Sequence, residues 1–187
     1  MIWLTYYKDG VFMNTRELTK MALMIAIQCI SCYIIVPLPF SLSPISLTTM
    51  IVNINGMVLS LKQSLLSMAA YLLIGLAGVP VFTGGSSGPG KLFGPTGGYL
   101  FGWVVAAAII AYVRPQKYDF KKYAFLACVI SIPVIYLFGV VQLQFITHMG
   151  WNKALMTGAL PFIPMDIVKA VAAAYVAGPI LRVFNRQ

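Results

Sequence analysis

Residues 123–147 read YAFLACVISIPVIYLFGVVQLQFIT and contain no charged side chain. A helix needs about 20 consecutive apolar residues to cross the hydrocarbon core of a bilayer. This run is long enough to do so. It therefore predicts a transmembrane helix, with Pro133 inside it.

The rest of the chain has the same character. Of its 187 residues 60% are hydrophobic and only 9% are charged, with a mean hydropathy of +0.87, whereas soluble domains carry about 25% charged residues. Lipid must therefore solvate most of the surface. No charged linker divides residues 1–187, which indicates a single membrane domain. We expect residues 1–16 to form an interfacial segment, or to be partly non-native because Met13 would serve as a start, and residues 17–187 to hold the core.

Further apolar runs bring the expected number of transmembrane helices to six. The first occupies residues 17–36, and residues 45–78 divide near Lys62 into two short spans. The fourth covers residues 96–113, the run quoted above is the fifth, and the last reaches Leu181. The expected fold is an all-α integral membrane protein of six helices.

Basic residues are distributed unequally between the two sides of such a six-helix protein. Cytoplasmic loops of membrane proteins carry an excess of lysine and arginine. The side opposite the termini would hold Lys91 and Lys153, whereas the side of the termini would hold Lys8, Arg16, Lys20, Lys62, Arg114, Lys117, Lys121, Lys122, Arg182 and Arg186. We therefore expect both termini in the cytoplasm, in a multi-pass protein of the cell membrane. The net charge of +9 reflects this topology and not nucleic-acid binding.

Two uncharged or weakly charged segments would then face outside. Residues 37–44 and 79–94 are rich in proline and glycine. Irregular backbone at membrane depth is tolerated where it packs on protein or lines a cavity. These segments are expected to form a lid or wall over an outward-facing pocket.

Asp166 and Lys169 are ionisable residues inside the final apolar run. Their spacing of three places them on one helical face, and a charge at membrane depth costs about 2.5–3.5 kcal/mol on insertion scales, which favours a functional role. Lysine could receive a carboxylate while aspartate accepts N–H donors, which suits a small molecule with an anionic tail and a polar head. Alternatively, the two charges merely neutralise each other, or Lys169 extends towards headgroups.

Two motifs resemble functional sites without matching them. GSSGPGKL (85–92) has leucine where a phosphate-binding loop needs serine or threonine, and it lacks the surrounding strand and helix. We therefore expect this chain to bind no ATP and no cofactor. Cys29 and Cys32 have the spacing of half a metal site, but no second pair of ligands follows and the single histidine, His148, is distant. We expect no metal, and cysteines that act as small buried hydrophobes.

Small residues spaced four apart let helices approach closely. Ala22 and Ala26 have this spacing near the cytoplasmic end of the first span, as do Gly94, Gly98 and Gly102 further along. Packing within the chain is the alternative explanation for any one of these stripes. The alanine stripe is the one we expect to dock another membrane protein.

Several motifs together resemble one known family. VPVF (79–82), GG (84–85) and GPTGGYL (94–100) resemble the signature loop of the BioY family, the biotin-specific substrate-binding (S) components of energy-coupling factor (ECF) transporters. PISLTT (44–49) and PFIPMDIVKA (161–170) are similar to two further family motifs in the same order. Thr48 stands where the family usually has glutamine, and Met165 where it usually has glycine.

The resemblance implies a six-helix S component that is not an enzyme. It implies biotin held near the outer face by the loops and the last helix, and partners comprising a transmembrane coupling subunit and two cytoplasmic ATPases. The coupling subunit would contact the first helix, here at Ala22 and Ala26. With the usual glutamine absent, asparagines are expected to supply amide groups, so the implied ligand contacts are Asp166, Lys169, Thr48, Thr49, Asn53, Asn55, Gly98 and Tyr99.

Three alternatives remain at this point. The chain could be a self-sufficient proton-coupled secondary transporter that uses Asp166, although no internal repeat supports this. It could be an intramembrane enzyme, although no nucleophile–base pair lies in the spans. It could also be an S component for another small anionic vitamin.

Overall fold

The computed structural model describes residues 13–37 and 44–185, and most of these residues are helical. Residues 1–12 of the predicted interfacial segment therefore lie outside the described residues, and so do residues 38–43 of the predicted loop. The described helices, in chain order, are α1 (Thr15–Ser31), α2 (Thr48–Val58), α3 (Leu61–Leu76), α4 (Pro89–Leu92), α5 (Gly97–Val113), α6 (Phe120–Leu126), α7 (Ile132–Thr147), α8 (Trp151–Gly158) and α9 (Ile163–Asn185).

Two short strands join α1 to α2. Strand β1 (Ile35–Val36) pairs antiparallel with β2 (Ile45–Ser46), so that Ile35 lies opposite Ser46. The first predicted span was expected to stay helical through residue 36, but the helix ends at Ser31. The backbone beyond it is extended because it hydrogen-bonds to a segment that comes later in the chain.

The break predicted near Lys62 lies between α2 and α3. Ser60 caps α3: its hydroxyl accepts from the Gln63 amide and the Gln63 side chain accepts from the Ser60 amide. This reciprocal arrangement is a capping box, which satisfies two amides that a helix start would otherwise leave without partners. Leu59, in an extended conformation, separates the two helices.

The apolar run quoted first is helical but not uniformly α-helical. A turn of π-helix, Ala127–Ser131, connects α6 to α7 just before Pro133. Proline has no amide hydrogen and its ring crowds the carbonyl of the preceding turn, and a wider turn at this point accommodates both effects. The continuous helix Phe120–Thr147 is 28 residues long.

Two of the described helices are both long and apolar enough to cross a membrane by themselves, namely Phe120–Thr147 and Ile163–Phe184. The apolar helices Leu61–Leu76 and Gly97–Val113 are shorter. Helix α2 is shorter still, with 11 residues, or about 16 Å at 1.5 Å per residue.

Helix α2 lies in the interior of the protein. Every residue from position 51 to position 59 is buried, because α1, α5 and α9 all pack against this helix. Helix α5 in turn packs against α3 and α7. At Gly56 a side chain would meet the carbonyl oxygen of Ala107 at 2.6 Å, so glycine permits the close approach of α2 to α5.

The outward faces of the helices carry large apolar side chains. Leu73, Tyr112, Phe125, Phe145 and Tyr175 are each more than 60% exposed. A monomeric soluble protein rarely exposes large apolar patches. Lipid contact accounts for this surface.

The first and last helices meet at their ends. Arg16 and Lys20 of α1 both donate to the backbone carbonyl of Phe184, over 2.6 Å and 2.9 Å. The last carbonyls of a helix have no partner within it and carry partial negative charge, so cationic donors stabilise them. These contacts fix the start of α1 beside the end of α9.

Candidate ligand-binding site

The site is centred on an ion pair in the first turns of α9. The Lys169 ammonium lies 2.9 Å from Asp166 Oδ1, and each residue is only 9% exposed. The spacing of three residues predicted this contact, and the helix brings both groups to one face. A buried charge is tolerated only when it is paired and hydrogen-bonded.

Donors from other helices complete the surroundings of the carboxylate. Thr49 of α2 donates its hydroxyl to Asp166 Oδ1 over 3.2 Å, and Tyr136 of α7 donates its hydroxyl to Oδ2. Lys169 also donates to Thr49 Oγ1 over 3.5 Å. The ion pair is therefore held in place by α2, α7 and α9 together.

A small cavity of about 40 Å³, partly open to the surroundings, lies beside this ion pair. Apolar surface exceeds polar surface on its wall, as is typical of sites for small molecules. The lining residues are Pro44, Ile45, Ser46, Thr49, Thr83, Tyr99, Trp103, Ile135, Tyr136, Phe162, Asp166 and Lys169.

Aromatic residues of α5 and α7 form one wall of the cavity. The rings of Tyr99 and Tyr136 meet edge to face, with centroids 6.4 Å apart. The Tyr99 hydroxyl donates to the Gly158 carbonyl over 2.6 Å, which ties α5 to the end of α8. Trp103 lies one helical turn after Tyr99 and is 4% exposed.

Both proline- and glycine-rich segments reach the cavity. Thr83 of the 79–94 segment and Pro44, the described end of the 37–44 segment, are part of its lining. The glycine-rich segment packs firmly on the helices, since the Gly84 amide donates to Cys32 O and the Gly88 amide to Gly75 O. This packing agrees with the expectation of a wall over a pocket.

Four of the predicted ligand contacts line this cavity, namely Thr49, Tyr99, Asp166 and Lys169. The other four do not line it in the structure. Thr48 is fully buried, and Asn53 is 3% exposed one turn beyond Thr49. Asn55 accepts a hydrogen bond from the Ser64 hydroxyl over 2.7 Å, between α2 and α3.

Gly98, the fourth of these, lies where α5 crosses α7. A side chain at this position would meet the carbonyl oxygen of Phe138. Gly102, one turn later, lies as close to Ile135, where the added carbon would stand 2.9 Å from Cα. In the structure these glycines serve the approach of two helices.

The cavity also contains residues that the sequence alone did not single out. Tyr136 and Trp103 are the important ones, since each brings a polar atom into an apolar helix. Buried tyrosine and tryptophan usually find a hydrogen-bond partner for that atom. The available signal was a side chain with a polar end inside an apolar segment long enough to cross a membrane. Nothing in the sequence connects either residue to Asp166.

The predicted docking stripe lies away from the cavity. Ala22 and Ala26 are exposed on α1, beside the exposed side chains of Leu23, Ile27 and Ile30. Together these five residues form an apolar surface, here called the α1 face.

The cysteine pair and the phosphate-loop-like sequence both lie apart from the cavity lining. Within the described part of the chain, His, Cys, Asp and Glu form no group of three or more that could hold a metal ion. Cys29 and Cys32 are free thiols, and the Cys32 thiol donates to the Cys29 carbonyl over 3.0 Å. Lys91, the lysine of the phosphate-loop-like sequence, belongs to α4, a single turn of four residues.

Comparison with known proteins gives consistent matches over nearly the whole chain. A model of the BioY family matches residues 6–186. The biotin transporter BioY2 of Lactococcus lactis subsp. cremoris is 35% identical over 161 residues, which cover 84% of this chain and 87% of the relative. The biotin transporter BioY of Thermotoga maritima is 35% identical over 162 residues, covering 87% and 94%.

The fold is also similar to a solved structure. The crystal structure of the S-component for biotin from an ECF-type ABC transporter superposes with a TM-score of 0.82 at 25% identity, covering 90% of this chain and 94% of that one. The motifs, the fold and the full-length relatives agree, and we conclude that this chain belongs to the BioY family.

Proposed function

We propose that this chain is the S component of an ECF-type transporter, and that it binds biotin at the outer face of the membrane and delivers it for uptake. The observation that carries the proposal is the buried Asp166–Lys169 pair on the wall of a largely apolar cavity. The named function of the relatives supports it, as does the solved S-component. As a BioY family member the chain is a multi-pass membrane protein and a transport component, not an enzyme.

The hydrogen-bonding capacity of the ion pair suits the ureido ring of biotin. A carboxylate offers about four acceptor positions, and Asp166 uses three for Thr49, Tyr136 and Lys169. An ammonium has three N–H donors, and Lys169 gives two to Asp166 and Thr49. One acceptor position on Oδ2 and one lysine N–H therefore remain for a ligand.

This geometry changes the role expected for Lys169. The sequence suggested that the lysine would receive the ligand's carboxylate. Because Lys169 contacts the Asp166 carboxylate, with Nζ 2.9 Å from Oδ1, one small group with adjacent N–H and C=O would meet the free lysine donor and Oδ2 together. A cyclic urea has such an edge, so we assign the pair to the ureido ring. The aliphatic tail would lie against the aromatic wall.

Calorimetric titration of biotin into the purified chain in detergent, without ATP or partners, tests the proposal. We expect tight binding, and its loss in Asp166→Asn and in Lys169→Ala. Lys153→Ala, at an exposed lysine of α8, serves as the matched control and should bind like the unmodified chain. No binding of biotin by the unmodified chain would reject the proposal. Tighter binding of another vitamin would support an S component for that vitamin instead.

The energy for uptake would come from partner proteins. We propose that a transmembrane coupling subunit docks on the α1 face and that two cytoplasmic ATPases bind the ATP, while this chain binds neither ATP nor a cofactor. Uptake into liposomes separates this from proton-coupled secondary transport. Biotin accumulation by this chain alone under a proton gradient would support the secondary transporter instead.

We further propose six membrane spans in one domain, with the core in residues 17–187 and both termini in the cytoplasm. The distribution of lysine and arginine supports this topology. In this proposed topology the cavity lies on the outer side, near the starts of α2, α5 and α9. The shorter helices would cross with help from the segments that flank them.

Cysteine labelling checks the topology. In a variant without native cysteines, Ser87→Cys should react with a membrane-impermeant maleimide in intact cells. Lys117→Cys should react only after the membrane is permeabilised. The reverse pattern would show that the orientation is inverted.

A further inference from the structure

Trp103 is a buried hydrogen-bond donor without a partner on the wall of the cavity. The residue is 4% exposed, and its indole Nε1 is buried with no hydrogen-bond partner among the described residues. Tryptophan Nε1 can only donate. A buried donor left without an acceptor is destabilising, and such groups in native proteins call for an explanation.

The side chains that pack around the indole are mostly apolar. Trp103 belongs to an apolar cluster with Val52, Phe82, Leu100 and Ile135. The ring of Tyr71 lies 6.5 Å away between centroids, and its hydroxyl donates to the Val81 carbonyl over 2.8 Å. No hydrogen bond joins it to the Trp103 indole.

The cavity is where an acceptor can come from. Among the described residues that line it, Trp103 is the one whose buried side-chain donor has no partner. Among the other donors there, Thr49, Tyr136 and Lys169 donate to Asp166, and Tyr99 donates to Gly158. A ligand carbonyl oxygen would satisfy the indole.

We propose that Trp103 recognises the bound ligand by donating its indole N–H to the ureido carbonyl oxygen. This inference rests on the proposed function. A urea oxygen accepts two hydrogen bonds. Lys169 has one donor left for it, and the indole supplies the second, while Asp166 accepts the adjacent ureido N–H. Trp103 is thereby a specificity determinant that selects a carbonyl over a weaker acceptor at this position.

Trp103→Phe keeps an aromatic ring and removes only the donor and the larger ring system. We expect this variant to bind biotin about tenfold more weakly, the size of one typical net hydrogen bond. Trp151→Phe, at an exposed tryptophan of α8, is the matched control and should leave affinity unchanged.

Ligand analogues identify the atom that accepts. The tenfold loss should persist with biotinamide, whose carboxylate is blocked, and should shrink with 2-thiobiotin, in which sulfur replaces the urea oxygen as a weaker acceptor. An equal loss with biotin and 2-thiobiotin would overturn the proposal, as would a loss that disappears with biotinamide. If the unmodified chain binds biotin and Trp103→Phe binds it equally well, this inference fails while the proposed function stands.

A second measurement keeps the proposal testable if Trp103→Phe does not fold. The chain has three tryptophans, so ¹⁵N-indole labelling of the unmodified protein gives a spectrum that can be assigned. The Trp103 indole proton should move downfield when biotin binds and less so with 2-thiobiotin. An unchanged position on saturation with biotin would contradict the proposed hydrogen bond.

Discussion

Asp166 is surrounded by donors that come from different parts of the chain. Thr49 and Tyr136 lie 117 and 30 residues away from it in sequence, and Lys169 is three residues away on the same helix. A buried carboxylate needs such donors, because it has lost its hydration. Each donor is therefore expected to contribute to both stability and ligand binding.

Removing the Tyr136 hydroxyl should weaken the site measurably. Tyr136→Phe leaves the ring in place but deprives Asp166 Oδ2 of its donor, and loss of a hydrogen bond to a charged group costs about 1.5–3 kcal/mol. We expect a lower unfolding temperature in detergent and biotin binding weaker by about tenfold or more. Tyr112→Phe, at a side chain that is 77% exposed, should change neither. Equal behaviour of the two variants would contradict the role assigned to Tyr136.

At this scale the sequence predicts local relations better than distant ones. The contact between Asp166 and Lys169 follows from helical geometry alone, since a separation of three residues suffices. The positions of Tyr136 and Trp103 around the same cavity depend on how α5, α7 and α9 pack. Asn55 was predicted as a ligand contact because its amide could replace the glutamine usual in the family, and local periodicity could not tell that Ser64 would bind its side chain.

Among the elements, the close contact of α5 with α7 depends on glycine. At Gly98 any side chain would meet the Phe138 carbonyl, whereas nothing lies within 4 Å of a side chain added at Gly90. We expect Gly98→Ala to force the two helices apart and to lower the free energy of unfolding by about 1–3 kcal/mol, as is typical of overpacking. The thermal unfolding temperature should fall accordingly. Gly90→Ala should fall within about 0.5 kcal/mol of the unmodified chain. A neutral Gly98→Ala would mean that α5 and α7 can separate without loss.

Helix boundaries were predicted where the sequence contains local signals. The break near Lys62 is an example, since Ser60 and Gln63 form the capping box that starts α3. The first span was extended to residue 36 because its composition stays apolar, but the pairing of β1 with β2 decides the conformation there. The segment between the fifth and the last predicted spans contains helix α8, which begins shortly after His148 ends α7 in a left-handed conformation.

For the molecule as a whole, the α1 face and the cavity are separate surfaces. Ala22 and Ala26 lie outside the cavity lining and are exposed, so large side chains at both positions should block docking without affecting ligand capture. We expect Ala22→Trp with Ala26→Trp to bind biotin normally in detergent and to lose uptake in cells that contain the coupling subunit and ATPases. Ala69→Trp, at an exposed alanine of α3, is the control for a large side chain facing lipid. Normal uptake by the double variant would show that the coupling subunit does not dock on the α1 face.

Composition predicted an apolar helical protein, and the family motifs predicted its architecture. Hydropathy predicted six spans, but only two of the described helices are both long enough and apolar enough to cross a membrane by themselves. Helix α2, the shortest of the predicted spans, is surrounded by protein and not by lipid. Which helix occupies the interior depends on packing between distant segments, and single-sequence periodicity carries no information about that.

The hydrogen bond between Thr49 and Asp166, which spans 117 residues, has a consequence for biosynthesis. Chains are made from the amino terminus at about 5–20 residues per second, so α2 is complete seconds before α9 leaves the ribosome. During that interval the Thr49 side chain has no carboxylate to donate to, and the cavity lacks a wall. A nascent chain of this protein therefore cannot capture its ligand, and binding begins only when the last helix is inserted.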